Sequence, residues 1–232
     1  MSLHTRLTEF FGIQHPILLA PMAGVSGGRL AAAVTASGGL GLIGGGYGEA
    51  GGHGMNARST FTLVPDIVDL VAEHSAKTLV VAAGGVADGR GLAAALALGA
   101  NGVLVGTRLW ASTEALVTPE AQQRAIEACG DDTVRTRVYD IVRQRNWPEK
   151  YDLRLVTNPL IEAWHGNESD LWAHLPETLS AFEKAVAEQD FDIVTPIVGE
   201  AISLIHDIRP AADIVRDMAR DATRILDRRS TK

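Results

Sequence analysis

The residues best placed to do chemistry sit among glycines. His53 stands between Gly52 and Gly54, after Glu49-Ala50-Gly51, in a run from Gly44 to Gly54 in which seven of eleven residues are glycine. Such a histidine has no apolar neighbours in sequence to bury it, and bare backbone lets a ligand come close. Imidazole is also the side chain whose free pKa best suits proton transfer near neutral pH. The competing reading is a surface-loop histidine. The other histidines (His4, His15, His74, His165, His174 and His206) lack this setting, and no pair has a metal-ligand spacing such as HExxH. No metal site is expected.

A second group of candidates lies in KTLVVAAGGVADGRGLAAALALGANGVLVGTR, Lys77 to Arg108. Leu79 to Ala83 and Gly102 to Val105 are short apolar runs, the mark of strands covered on both faces. Asp88 can cap the helix between them and Gly99 can end it. Two parallel strands joined by a crossover helix deliver Gly84-Gly85 and Gly106-Thr107 to one end of a sheet. Glycine loops there fit a phosphate cradle. They equally fit a plain βαβ unit with tight turns. Arg108 is the nearest basic side chain for a bound phosphate. Met22, in the Pro21-Met22-Ala23-Gly24 loop, can lie against a flat aromatic ligand through its sulfur or simply fill core.

These loops need strands to carry them. Pro16 to Ala20 reads as a buried strand, Ser26 as the cap of a helix over 28–37, and Leu40 to Ile43 as the next strand. The glycine run to Gly54 leaves no regular element. Order resumes over 60–75, as a helix from about 65 with Pro65 in its first turn. Strands alternating with short helices argue a parallel sheet with ligand loops at the carboxyl ends. Beyond residue 112 no convincing strand pair is visible. Helices are expected over 119–129, 134–146 (rich in Arg, with Arg135 and Tyr139 on one face as a candidate lid), 171–189 (one long helix, or one broken near Pro176) and 211–229, the last returning to cover the sheet.

Composition sets the outer limits. The 232 residues are 46% hydrophobic with a net charge of −7, enough for one sizeable core and a smaller attached domain, without the basic footprint of a nucleic-acid binder. Cys129 is the single cysteine, so an internal disulfide and a cysteine metal site are both excluded. The amino terminus lacks a signal peptide's apolar core, and no apolar run suits a membrane span. A cytoplasmic location is the default expectation.

Four ordered blocks together resemble the nitronate monooxygenase family, also called 2-nitropropane dioxygenases. They are His15 to Gly46, Glu49 to Gly54, Val80 to Gly91 and Gly102 to Ser112; VRTRVYDIVR and IVGEAISLIHDIRPAADIV also look like that family's carboxyl-terminal region. The resemblance implies a TIM barrel with a helical domain and non-covalently bound FMN. It implies that Pro21, Met22 and Ala23 meet the flavin and that Gly84, Gly85, Val105, Gly106 and Thr107 hold its phosphate. It further implies that Gly51 and Gly52 bring N–H groups near the cofactor and that His53 is the catalytic base. The activity implied is oxidation of alkyl nitronates or nitroalkanes by dioxygen to carbonyl compounds and nitrite. Related FMN-dependent enoyl-thioester reductases share such glycine loops.

One departure is large. In the family the GGGYG block closes the second barrel strand and EAGGH follows the sixth, whereas here Gly48 runs straight into Glu49. The fold expected is therefore α/β, a TIM-barrel-derived parallel sheet forming a partial, four-strand barrel with a carboxyl-terminal helical region. The expected organisation is 1–112 as the partial (β/α) barrel with the FMN-binding loops, 113–198 as a helical domain, and 199–232 as a segment and helix returning to the barrel. Right-handed crossovers and the family's circular order predict the strands 79–83, 102–106, 16–20, 40–43 in that sequence across the sheet. An open half-barrel would dimerise or aggregate, and a non-catalytic half-barrel is the second function class.

Overall fold

A computed structural model of the chain describes residues 3–43, 53–54, 58–75, 77–145, 147–148 and 151–230. In chain order the elements are α1 (Arg6–Phe11), β1 (Ile17–Leu19), α2 (Gly28–Ala36), β2 (His53–Gly54), α3 (Thr60–His74), β3 (Val81–Ala83), α4 (Gly89–Ala97), β4 (Gly102–Val105) and α5 (Thr107–Trp110). Then come α6 (Pro119–Ile126), β5 (Thr133–Thr136), α7 (Val138–Val142), β6 (Tyr151–Val156), α8 (Pro159–Trp164), α9 (Glu168–Ala173), α10 (Leu175–Glu188) and α11 (Ala211–Ser230), with two 3-10 turns between. Among the described residues no helix is long and apolar enough to cross a membrane. The chain divides into two compact units: residues 1–50, 58–117 and 204–232 form the first, and 51–57 with 118–203 the second.

The first unit is built on a parallel sheet in the order β1-β4-β3, extended beyond β1 by a parallel bridge from Leu18 to Leu40. The expected order is thus found, with one reduction: the strand read over 40–43 is a single bridge. The cause is local. The Gly41 N–H donates to Thr35 Oγ1 at 3.1 Å, and a Cβ on Gly41 would stand 2.0 Å from the Ala31 carbonyl oxygen. The chain is drawn onto α2 and out of the ladder after Leu40.

Ile17, Leu19, Val103 and Val105 bury themselves against Leu30 and Val34 of α2, Leu92 and Ala95 of α4, and Ile214, Met218 and Ala222 of α11. Truncating any one of the large side chains here costs about 2–5 kcal/mol. Leu19 and Val105 therefore face the helices, and the inner side of the sheet belongs to Leu18, Leu104, Val81 and Ala83. α11 returns over α4, so closely that a Cβ on Gly89 would lie 2.7 Å from the Ala222 amide nitrogen. Asp88 caps α4 as expected, accepting from the Arg90 and Gly91 amides. Burial works to raise its pKa, but hydrogen bonds from the Arg90 side chain and those amides outweigh it and hold the carboxyl low.

One element here was missed and one local expectation fails. α1 was not foreseen, although Thr5 and Thr8 cap it reciprocally and Gly12 ends it in the left-handed region at φ +62°. Pro65 lies inside α3, not in its first turn, because the helix starts back at Thr60.

The second unit corrects the purely helical reading of the later chain. β5 and β6 pair antiparallel from Thr133 opposite Val156 to Thr136 opposite Leu153, and β2 adds to the other side of β6 with His53 opposite Asp152. The helix expected over 134–146 is thus a strand, then the short α7. Tyr139 of α7 is 3% exposed, stacks edge-on against Phe182 and accepts a hydrogen bond from the Thr195 amide. Burial holds its phenol well above the ordinary range. Arg135 forks onto Asp152 Oδ1 from the next strand. Tyr139 and Arg135 are core and ribbon cross-link, not a lid. The helix expected over 171–189 is broken in two at His174.

Candidate functional site

Three loops leave the carboxyl ends of β1, β4 and β3 side by side. Because Ala83 stands opposite Leu104 in the ladder, Gly84-Gly85 and Gly106-Thr107 emerge at one level.

The loop after β1 carries Pro21, Met22 and Ala23. Ser26 does not cap α2; Gly27 occupies that position with no side-chain hydrogen bond. Ser26 is 2% exposed, and its hydroxyl instead donates to the Ala20 carbonyl at 2.8 Å and accepts from the Met22 amide at 3.2 Å. It locks the loop that presents Met22. The Met22 sulfur in turn lies 3.7 Å from where a Cβ on Gly106 would stand. Met22 and Gly106 are therefore brought together, and a Cβ at 106 would stand in ordinary van der Waals contact with the Met22 sulfur and the Ala20 Cβ.

After β3, Gly84 and Gly85 lie in succession at φ +96° and +76°, the left-handed region that strains other residues. A Cβ on Gly85 would meet nothing within 4 Å. The backbone here is bare and open on that side. Thr60, the first residue of α3, fixes the turn by setting its hydroxyl 2.9 Å from the Ala83 carbonyl and 3.0 Å from the Gly84 carbonyl. Sequence reasoning missed Thr60, since nothing local tells a helix-start threonine that its partner lies more than twenty residues on.

Arg108 turns away from the loops. The residue is 7% exposed, and its guanidinium donates to Asp207 Oδ1 at 2.9 Å, the Asp207 carbonyl at 2.9 Å and the Ala111 carbonyl at 3.1 Å. Burial lowers its pKa, with Asp207 pulling the other way. It ties α5 to the segment before α11, so the expectation that it serves a phosphate is corrected. An anion at these loops has backbone to bind, not this cation.

In the second unit His53 is paired through β2 with Asp152 of β6, which replaces the expectation that no regular element forms there. Gly51 and Gly52 lie outside the described residues. Among the described residues no group of His, Cys, Asp or Glu is placed to hold a metal ion.

Comparison with known proteins places this geometry. FabK from Thermotoga maritima superposes with a TM-score of 0.80 at 24% identity, covering 98% of this chain and 98% of that one. Nitroalkane oxidase from Streptomyces ansochromogenes superposes with a TM-score of 0.72 at 18% identity, covering 96% and 99%. Both likenesses concern the fold, a TIM-barrel-derived parallel sheet with helices. Nitronate monooxygenases from Metarhizium robertsii and Neurospora crassa are each 37% identical, over 77% and 75% of this chain and 51% and 46% of their own length. The chain thus spans about half the length of the curated relatives it matches. The family model for nitronate monooxygenase matches residues 4–50 and 46–221, two segments that meet in the glycine run where Gly48 runs into Glu49. With nearly the whole chain matched in these two segments, it belongs to the nitronate monooxygenase family.

Proposed function

We propose that the chain is a flavin oxidoreductase that holds FMN by its phosphate between Gly84-Gly85 and Gly106-Thr107 and oxidises alkyl nitronates with dioxygen to carbonyl compounds and nitrite. The observation that carries it is the convergence of three loops at one sheet end, with two successive left-handed glycines, the second of which, Gly85, opens on unfilled space. A dianion suits such a site, because close-packed amides bind it without a side chain in the way. Val105 ends the strand that delivers the second loop. Pro21, Met22 and Ala23 face the flavin ring, with the Met22 sulfur as the polarizable contact. Bound FMN supplies the redox chemistry; the chain's task is position and electrostatics. Gly51 and Gly52 contribute amides near the cofactor, and His53 takes the proton from the carbon beside the nitro group when a neutral nitroalkane binds.

Oxygen uptake and nitrite release by the FMN-loaded protein, with a nitronate as substrate, test this. Nitrite release above the protein-free rate is expected. Bound flavin without turnover favours a binding half-barrel, a reading supported by the chain's half-length match to its relatives.

Arg108 supplies a control. Arg108→Leu removes hydrogen bonds to two carbonyls and is expected to lower stability by about 1–3 kcal/mol in chemical denaturation, while FMN affinity stays unchanged. A selective loss of FMN affinity at unchanged stability would restore Arg108 to the phosphate site.

A further inference from the structure

The parallel sheet has two open edges. Its strand positions run Leu40, β1, β4, β3, and among the described residues nothing pairs with the outer side of Leu40 or of β3. On the inner side Leu18 is buried, Leu104 and Val81 are half-buried and Ala83 is exposed, so the face grows wetter toward the β3 edge. α3 flanks that edge and buries only Val64, leaving Phe61 68% and Leu70 52% exposed. At the other edge Ile43 is 66% exposed. Unpaired strand edges beside exposed apolar side chains are surfaces for another chain.

We propose that the occupant is a second copy of this chain, two copies joining edge to edge about a twofold axis parallel to the strands and closing an eight-stranded parallel barrel. Polarity selects this operation. Both edges belong to one parallel sheet, so a twofold along the strands lays the Leu40 edge of each copy beside β3 of the other with every strand parallel. The count agrees: four strand positions per chain are half of the eight that such a barrel needs. One operation makes both seams, so no edge remains and no third copy is admitted. An unrelated strand donor would fill one edge and leave the other bare. Helix cover agrees as well, because α3 is the outermost helix beside β3 and lies over the seam once the ring closes. The interface uses the sheet edges and not the glycine loops, so it stands or falls apart from the flavin reading.

The register follows. Leu40, Leu18, Leu104 and Ala83 stand at one level in the sheet. A closed barrel of this type has a shear of about eight residues, about four for each half. The right-handed tilt of the strands then sets Leu40, the last residue of its chain in the ladder, opposite the partner's Leu79. Within one chain those two positions are separated by β1 and β4, about 14 Å at ordinary strand spacing, while a disulfide needs Cα atoms within about 7 Å.

Sedimentation equilibrium of the unsubstituted chain at micromolar concentration is expected to give twice the 24.6 kDa of one chain. With the exposed Cys129 changed by Cys129→Ser, the double variant Leu40→Cys with Leu79→Cys is expected to form a covalent dimer on oxidation. A mixture of the two single variants should do the same, and neither single variant alone. A monomeric mass, or larger open assemblies, overturns the proposal. So does a dimeric mass with no bond in either the double variant or the mixed singles.

Discussion

Gly85→Asp is expected to reduce FMN affinity by at least about a hundredfold, because like charges brought into contact cost several kcal/mol. Gly85 stands at φ +76° with open space where its side chain would point. An aspartate there puts a carboxylate into the place assigned to the FMN phosphate. The backbone penalty is separable: Gly85→Ala carries the same left-handed strain, about 1–2 kcal/mol, without the charge. Fluorescence titration of both variants should show the alanine form weakened modestly and the aspartate form hardly binding. Equal affinities for wild type and Gly85→Asp would remove the phosphate from this loop.

His53→Asn is expected to cut turnover of neutral nitroalkanes by about a hundredfold to ten-thousandfold, the usual contribution of a positioned general base. Nitronates are already deprotonated, so their turnover should hardly change. Steady-state rates on a nitroalkane and its nitronate, each measured on freshly prepared substrate, separate the two cases. Matched losses on both substrates would give His53 a positional role instead of an acid–base one.

Much of the sheet was legible from residue type alone. Ile17-Leu18-Leu19 and Gly102 to Val105 are apolar runs of strand length, and the glycines that end them mark where ligand loops begin. Their order across the sheet was not in the runs themselves; it came from crossover handedness and the circular order implied by resemblance. The β5–β6 ribbon was missed because Val138 to Val142 is apolar at helical spacing, and that signal spread over Val134 to Thr136. The strand partner lies beyond Tyr151, outside any local window. The clasps of the candidate site were hidden for a similar reason. Ser26 reads as a helix cap from its neighbours, yet its hydroxyl is spent on Ala20 and Met22. Arg108 follows Gly106-Thr107 in sequence, and only the fold reveals Asp207 as its partner. Polar side chains near a loop can serve the ligand or the loop, and that choice is made by residues distant in sequence.

The most direct measurement compares FMN with riboflavin, which shares the ring system and lacks the phosphate. Titrated into the cofactor-free protein and followed by flavin fluorescence, FMN is expected to bind one per chain. Riboflavin is expected to bind at least about tenfold more weakly, the loss of roughly 1.4 kcal/mol or more in phosphate contacts. Equal affinity for the two, or no binding of FMN, would contradict the phosphate cradle at Gly84-Gly85 and Gly106-Thr107.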